Sequence, residues 1–369
     1  MKNISRLVAV LLLVASLFSL AACGESEYEP VPSTGEESKV MITMDAGGER
    51  YEIRYELYRA LFLNFKSAVD GGDSTLWSGD NKDELIDEIN ELIIDRAARI
   101  YATFAAAEEI GIDPYSSDIE SEIRKLIKLS VEGGDYNGEL YTGYGTYDDY
   151  LAALKKMTMN YSVQKLMYRY MLTNQAIEEY YKGDSGDNFG IGNQGGKLSY
   201  TKDDVKAFYD SDDCVRVLRA FLQSKYKTKE DAERIRQLMA SKTDELNVAS
   251  VIINNSLTAP EEVMNGQVIG RYSLDEYYYA EFTKKAFLLD IGEVSEVIEV
   301  VNGSNDGYFI IYRAEKSDDH FDDCYADVEL AYVDNEIGKK LDGFVSSLKE
   351  SVSFKELYSD VIHAEISME

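Results

Sequence analysis

The chain has 369 residues, enough for two or three domains, and its 68 acidic against 38 basic residues leave a formal charge of −30. That balance excludes nucleic acid and other partners recognised through phosphates, which need clustered Lys and Arg. The only histidines, His320 and His363, exclude a His-rich metal centre, so no metal is expected.

Lys2 and Arg6 form a short positive region ahead of an apolar run, Leu7 to Leu20. The run is too short to span a bilayer comfortably and reads as the core of an export signal. It ends in Leu20-Ala21-Ala22-Cys23, which resembles the lipobox of bacterial lipoproteins. The resemblance implies removal of residues 1–22, lipidation of Cys23, and an extracytoplasmic chain anchored to the bacterial cell membrane. Residues 23–39, with Gly, Ser, Glu, Pro30 and Pro32, offer little that packs and read as a solvated tether. The remaining cysteines, Cys214 and Cys324, admit either a disulfide or two thiols.

Val40 to Tyr51 carries two apolar runs around Gly47-Gly48, a hairpin pattern. Helical spacing follows from Ile53 to Ala68 and from Asp83 to Ile110, with a Gly- and Asp-rich loop between them that holds Trp77, the single tryptophan. Ser117 with Glu120 has capping-box spacing and opens a helix to Val131. Gly133 to Gly145 reads as a loop. Thr146 with Asp149 opens one long helix to Lys182, in which Met157, Met159, Met167 and Met171 read as core packing. Gly183 to Gly196 is a loop containing a formal G-x-G-x-x-G, Gly190 to Gly195. A dinucleotide site needs a strand before those glycines and a helix after them, and the order here is the reverse, so no cofactor is expected.

Beyond a strand-like Lys197 to Tyr200 and a helix over Asp203 to Tyr209, opened by Thr201 with Asp204, the texture changes. Strands are expected over Val215 to Gln223, Gln267 to Tyr272, Val297 to Val301 and Tyr308 to Ala314. Helices are expected over Thr228 to Ala240, Glu245 to Ile252 and Glu281 to Leu288. That order, βααβαββ, describes a compact α+β unit with a mostly antiparallel sheet. Val328 to Tyr358 returns to helix, and Val361 to Ser367 is strand-like.

This unit resembles a parvulin-type peptidyl-prolyl isomerase domain. The stretches that carry the likeness are Gly266-Gln267-Val268-Ile269-Gly270-Arg271-Tyr272, then Glu281-Phe282, Ala286-Phe287-Leu288-Leu289, Gly292-Glu293-Val294-Ser295 and Gly307-Tyr308-Phe309-Ile310-Ile311-Tyr312. The whole layout resembles secreted foldases of the PrsA and SurA kind. It implies a helical chaperone domain from residues 40–211, completed by 317–369, with a parvulin-like domain inserted over 212–316. It further implies that Cys214 and Cys324 flank the insert, close enough to pair as a disulfide. In the proline pocket the resemblance keeps Phe282, with Ile269 beside it, and puts Tyr278 at the family's methionine and Asp306 at its Ser or Thr. Ala220 and Phe309 stand where active parvulins carry histidine. Gln267 and Val268 replace a glycine and an aspartate of the Gly-rich motif, and the family's Asp or Cys falls near Asn254 or Asn255.

Prolyl isomerisation requires stabilising a twisted amide against a barrier of about 18–20 kcal/mol. Without the two histidines the hydrogen-bond network that polarises the site loses its centre. The expectation is a membrane-tethered chaperone that binds unfolded or nascent secreted polypeptides, with an inactive parvulin-like domain. The alternatives are an active isomerase with a rearranged site, or a solute-binding lipoprotein, whose repeated βα units the helical first half does not show.

Overall fold

The hairpin expected around Gly47-Gly48 forms from β1 (Val40–Ala46) and β2 (Glu49–Arg54), antiparallel, with both glycines at positive φ in the turn. The structure, a computed structural model, describes residues 38–70, 74–78, 82–136, 139–182, 196–272, 280–300 and 307–355. The signal, the tether with Cys23, the glycine loop at 190–195, Tyr278, Asp306 and the strand expected at 361–367 lie outside them. The described chain divides into two units. One runs up to Ile177 and resumes at Leu341, and the other is Glu178–Lys340.

In the first unit, α1 (Tyr55–Asp70) and α2 (Lys82–Glu109) follow the hairpin. The buried Tyr58 hydroxyl of α1 donates to Asn90 Oδ1 of α2 at 3.0 Å, and Tyr101 of α2 donates to the Glu52 carbonyl at 2.8 Å. α3 (Ser117–Glu132) is capped by Ser116, one residue before the expected cap, because its hydroxyl accepts the Ile119 amide. The expected loop after it contains a small hairpin, β3 (Gly134–Tyr136) and β4 (Glu139–Tyr141). The single helix expected to reach Lys182 is two, α4 (Tyr147–Lys156) and α5 (Tyr161–Lys182). Thr158 at φ 59° breaks the run, and Asn160 restarts it by accepting the Val163 amide at 2.9 Å. Met157, Met159 and Met171 pack against the buried cluster of Ile123, Leu126, Tyr150, Leu154 and Tyr168, as core residues do.

The second unit opens with Lys197 and Leu198 as an extended segment but not a strand. Their amides are spent on the Tyr180 and Tyr181 carbonyls at the end of α5. The elements that follow are α6 (Lys202–Asp210), β5 (Cys214–Gln223), α7 (Lys229–Ala240), α8 (Glu245–Asn255), α9 (Pro260–Asn265), β6 (Gln267–Gly270), α10 (Ala280–Leu288), β7 (Ile298–Val300), β8 (Gly307–Ala314) and α11 (Asp318–Asp323). Reciprocal capping boxes start α6 at Thr201/Asp204 and α7 at Thr228/Asp231. The sheet order is β6-β5-β8-β7, antiparallel throughout. The expected order of elements is present with one addition, α9, which Pro260 opens at its first turn. The fold class is α+β.

α12 (Tyr325–Glu350) contributes its first part to this unit and the rest to the other, and β9 (Ser353–Phe354) then pairs with β1. The second unit is therefore wider than residues 212–316. The reason is packing: Val205, Phe208 and Tyr209 of α6, Cys214 of β5, Phe321 of α11, and Val328 and Ala331 of α12 form one buried cluster. Among the described residues no helix is long and apolar enough to cross a membrane.

Candidate functional site: one face of the four-stranded sheet

β5 is the central strand of the second unit, and its side chains alternate between the two faces of the sheet. Leu218, Ala220 and Leu222 point to the face covered by α7 and α8, among Ile235, Met239, Val248, Ile252 and Ile310. Val215 and Val217 point to the other face, where Ile269 of β6, Phe282 and Ala286 of α10, Ile298 of β7, and Phe309 and Ile311 of β8 pack, with Phe221 against them.

Ile269, Phe282 and Phe309, which the sequence places at one site, therefore share one cluster. Ala220 does not join them. It lies on the opposite face, since it pairs with Ile310, and Phe221 is the residue directly across from Phe309. Ala220 and Phe309, the two positions where the resemblance expects histidine, thus lie on opposite faces of the sheet, because side chains alternate with a period of two. Extending the alternation from Val215 and Val217 along the strand would have found Phe221 in the sequence.

The face is packed shut by rings. Phe221 and Phe309 lie 4.8 Å apart between centroids, and Phe282 meets Phe309 edge-on at 5.5 Å. Phe282 is 1% exposed, Ile269 4% and Phe309 6%, values of a core rather than of residues lining an open cleft. A second contact fills the remaining edge of β5: the Phe221 amide donates to Thr258 Oγ1 at 3.3 Å, and the Leu257 amide donates to the Phe221 carbonyl at 3.0 Å. The clustered side chains here are aliphatic or phenyl, and such groups neither polarise an amide nor carry a proton.

Two arginines share this face by strand alternation, Arg219 across from Ile311 and Arg313 across from Val217, and other charged groups stand near it. Arg313 on β8 donates to the Ala286 carbonyl at 2.9 Å, and burial pushes its pKa down. Arg271 lies 4.5 Å over the Phe287 ring and pairs with Asp213 at 3.0 Å. Arg219 reaches Glu262 at 3.5 Å. His320 belongs to α11, where it contacts Tyr209 and the Asn265 carbonyl, and His363 lies outside the described residues. Cys214 and Cys324, for which the sequence admits either a disulfide or two thiols, are both free and both buried in the structure. Each sits in its own packing, Cys214 in the α6/α11/α12 cluster and Cys324 as the cap of α11. Burial pushes the Cys214 thiol up to about 12 and raises Cys324 as well. No group of His, Cys, Asp and Glu side chains suited to hold a metal ion occurs among the described residues.

No family model and no curated protein matches the chain. Solved structures do. The chain is similar to the foldase protein PrsA of Streptococcus pneumoniae at 16% identity, over 88% of this chain and 98% of that one, with a TM-score of 0.29. It is similar to PrsA of Bacillus subtilis at 16% identity, over 75% and 92%, with a TM-score of 0.23. For the foldase protein PrsA of Lactococcus lactis the identity is 18%, over 90% and 99%, with a TM-score of 0.22.

Proposed function

We propose that the chain is a lipid-anchored extracytoplasmic chaperone that holds unfolded exported polypeptides, and that its parvulin-like unit does not catalyse prolyl isomerisation. The observation that carries this reading is the tilted Phe221–Phe309 ring pair packed edge-on by Phe282. Isomerisation is accelerated by polar groups aimed at the twisted amide. The described residues of the sheet face that the resemblance assigns to that chemistry combine an apolar cluster with Arg219 and Arg313, which are engaged with Glu262 and the Ala286 carbonyl. The anchor follows from the lipobox-like Leu20-Ala21-Ala22-Cys23, since buried acyl methylenes contribute about 0.8 kcal/mol each to membrane binding. The charge of −30 favours basic clients and repels anionic surfaces, both effects weakening with salt.

Two assays on the chain from Gly24 onward test the proposal. In the first, cis–trans relaxation of a short proline peptide is followed beside a histidine-bearing parvulin. No acceleration is expected, and clear acceleration would make the protein an isomerase with a rearranged site. In the second, aggregation of a reduced basic protein is followed by light scattering. Salt-sensitive suppression is expected at stoichiometric amounts, and its absence at low and high salt would remove the chaperone reading.

A further inference from the structure

His320 engages both of its ring nitrogens. Nε2 faces the Asn265 carbonyl oxygen, which only accepts, so Nε2 carries the proton. Nδ1 lies 2.9 Å from the Tyr209 hydroxyl. That hydroxyl oxygen already accepts the Ser317 amide at 3.3 Å, so its own proton is directed to Nδ1. One neutral tautomer thus satisfies every contact, and the imidazole lies nearly parallel to the Tyr209 ring at 16°, with centroids 5.9 Å apart.

The charges around this ring oppose a second proton. From β5, the buried Arg216 donates at 3.1 Å to the same Asn265 carbonyl, and at 3.0 Å to the Glu315 carbonyl. Lys206 and Lys316 lie 5.8 and 5.7 Å from the centre of the Tyr209 ring. The acidic groups are Glu245 of α8, already paired with Arg216 at 2.7 Å, and Asp323 of α11 itself. Burial, with Arg216 next, pushes the imidazole below its ordinary pKa, against the pull of the Asn265 contact and of Glu245 and Asp323.

We infer that His320 is a pH-sensitive latch: neutral, it ties the end of α9 to α6 and α11 through both ring nitrogens. Protonated, it keeps the Asn265 contact but deprives the Tyr209 hydroxyl of its acceptor and sets a cation beside Arg216, which loosens the second unit. Protonation gives Nδ1 its own N–H, so the Tyr209 hydroxyl must turn its proton away from the ring, and it sets a second cation beside Arg216 on one carbonyl. The direction in pH follows from linkage. The unfolded histidine takes up its proton near pH 6.5 and the folded one only lower, so stability is full above about 6.5 and declines as pH falls toward the folded value. The inference is independent of the chaperone reading.

The chain from Gly24 onward contains two histidines, so histidine-selective NMR titration gives two Cε1–H signals, and His320→Gln assigns them. The His320 signal is expected to titrate below 6.5, and titration at or above 6.5 would overturn the latch. Between pH 7.5 and 5.5 the urea-derived unfolding constant of the wild type is expected to rise more than that of His320→Gln. Equal pH dependence in the two proteins would also overturn it. If His320→Gln does not fold, Tyr209→Phe removes the donor to Nδ1 and is expected to raise the His320 titration point. An unchanged titration in that variant counts against the latch.

Discussion

A Cβ on Gly338 would fall 1.5 Å from the carbonyl oxygen of Tyr272, so α12 passes the end of β6 at a distance that only glycine permits. The contact is reinforced one turn earlier. The buried Asn335 accepts the Tyr272 amide at 3.0 Å, and a Cβ on Gly270 would meet Asn335 at 2.8 Å. Gly338→Ala ordinarily gains about 1 kcal/mol in a helix interior. Here the clash is with backbone, which cannot rotate away, and a net loss of about 1–3 kcal/mol is expected. Urea unfolding of the variant beside Gly343→Ala, a helical glycine with open space around it, checks the assignment.

Phe309→Ala removes the ring that both Phe221 and Phe282 touch. Truncating a buried phenylalanine costs about 3–5 kcal/mol where the surroundings relax little. A drop of that size in unfolding free energy is expected, with no gain of isomerase activity from the space created. A loss below about 1 kcal/mol would mean that the face is an open pocket rather than core.

Arg169 joins three parts of the first unit. Its Nε donates to the Pro114 carbonyl at 3.1 Å, it pairs with Glu120 of α3, and its guanidinium lies 4.5 Å over the Tyr115 ring. Lysine keeps the charge but not the planar fork, so Arg169→Lys is expected to lose about 1.5–3 kcal/mol. Near-neutral behaviour in thermal unfolding would show that the charge alone suffices.

Cys214 and Cys324 are buried thiols with raised pKa values, so little thiolate is present near neutral pH. On the chain from Gly24 onward, iodoacetamide at pH 8 is expected to label neither cysteine readily in the folded state and both in urea. Mass spectrometry reads the result, and a missing pair of labels in urea without reductant would indicate that oxidation has joined them.

Much of the second unit was legible because its signals are local. Thr201 with Asp204 and Thr228 with Asp231 close their capping boxes within one turn, and Val215 to Gln223 shows its strand character in its own alternation. In the first unit the same local logic slipped by a residue at Ser116 and missed the break at Thr158, where the residues on both sides still keep helical spacing. Of the positions the sequence puts at one site, Ile269, Phe282 and Phe309 fall in one buried cluster, and the residue across from Phe309 was set by strand register.

Composition, the lipobox-like motif and the scarcity of histidine are properties of the chain itself, and they bounded the chemistry before any fold was considered. Which face of β5 meets Phe309 was decided by tertiary structure. Strand register depends on partners nearly 90 positions away, and with a period of two, one step exchanges Ala220 for Phe221. The same holds for His320, whose partners Tyr209 and Asn265 lie 111 and 55 positions distant. Nothing local in the sequence marks that histidine. Its hydrogen bonds, and the Arg216 charge beside it, exist only once strand and helices have packed.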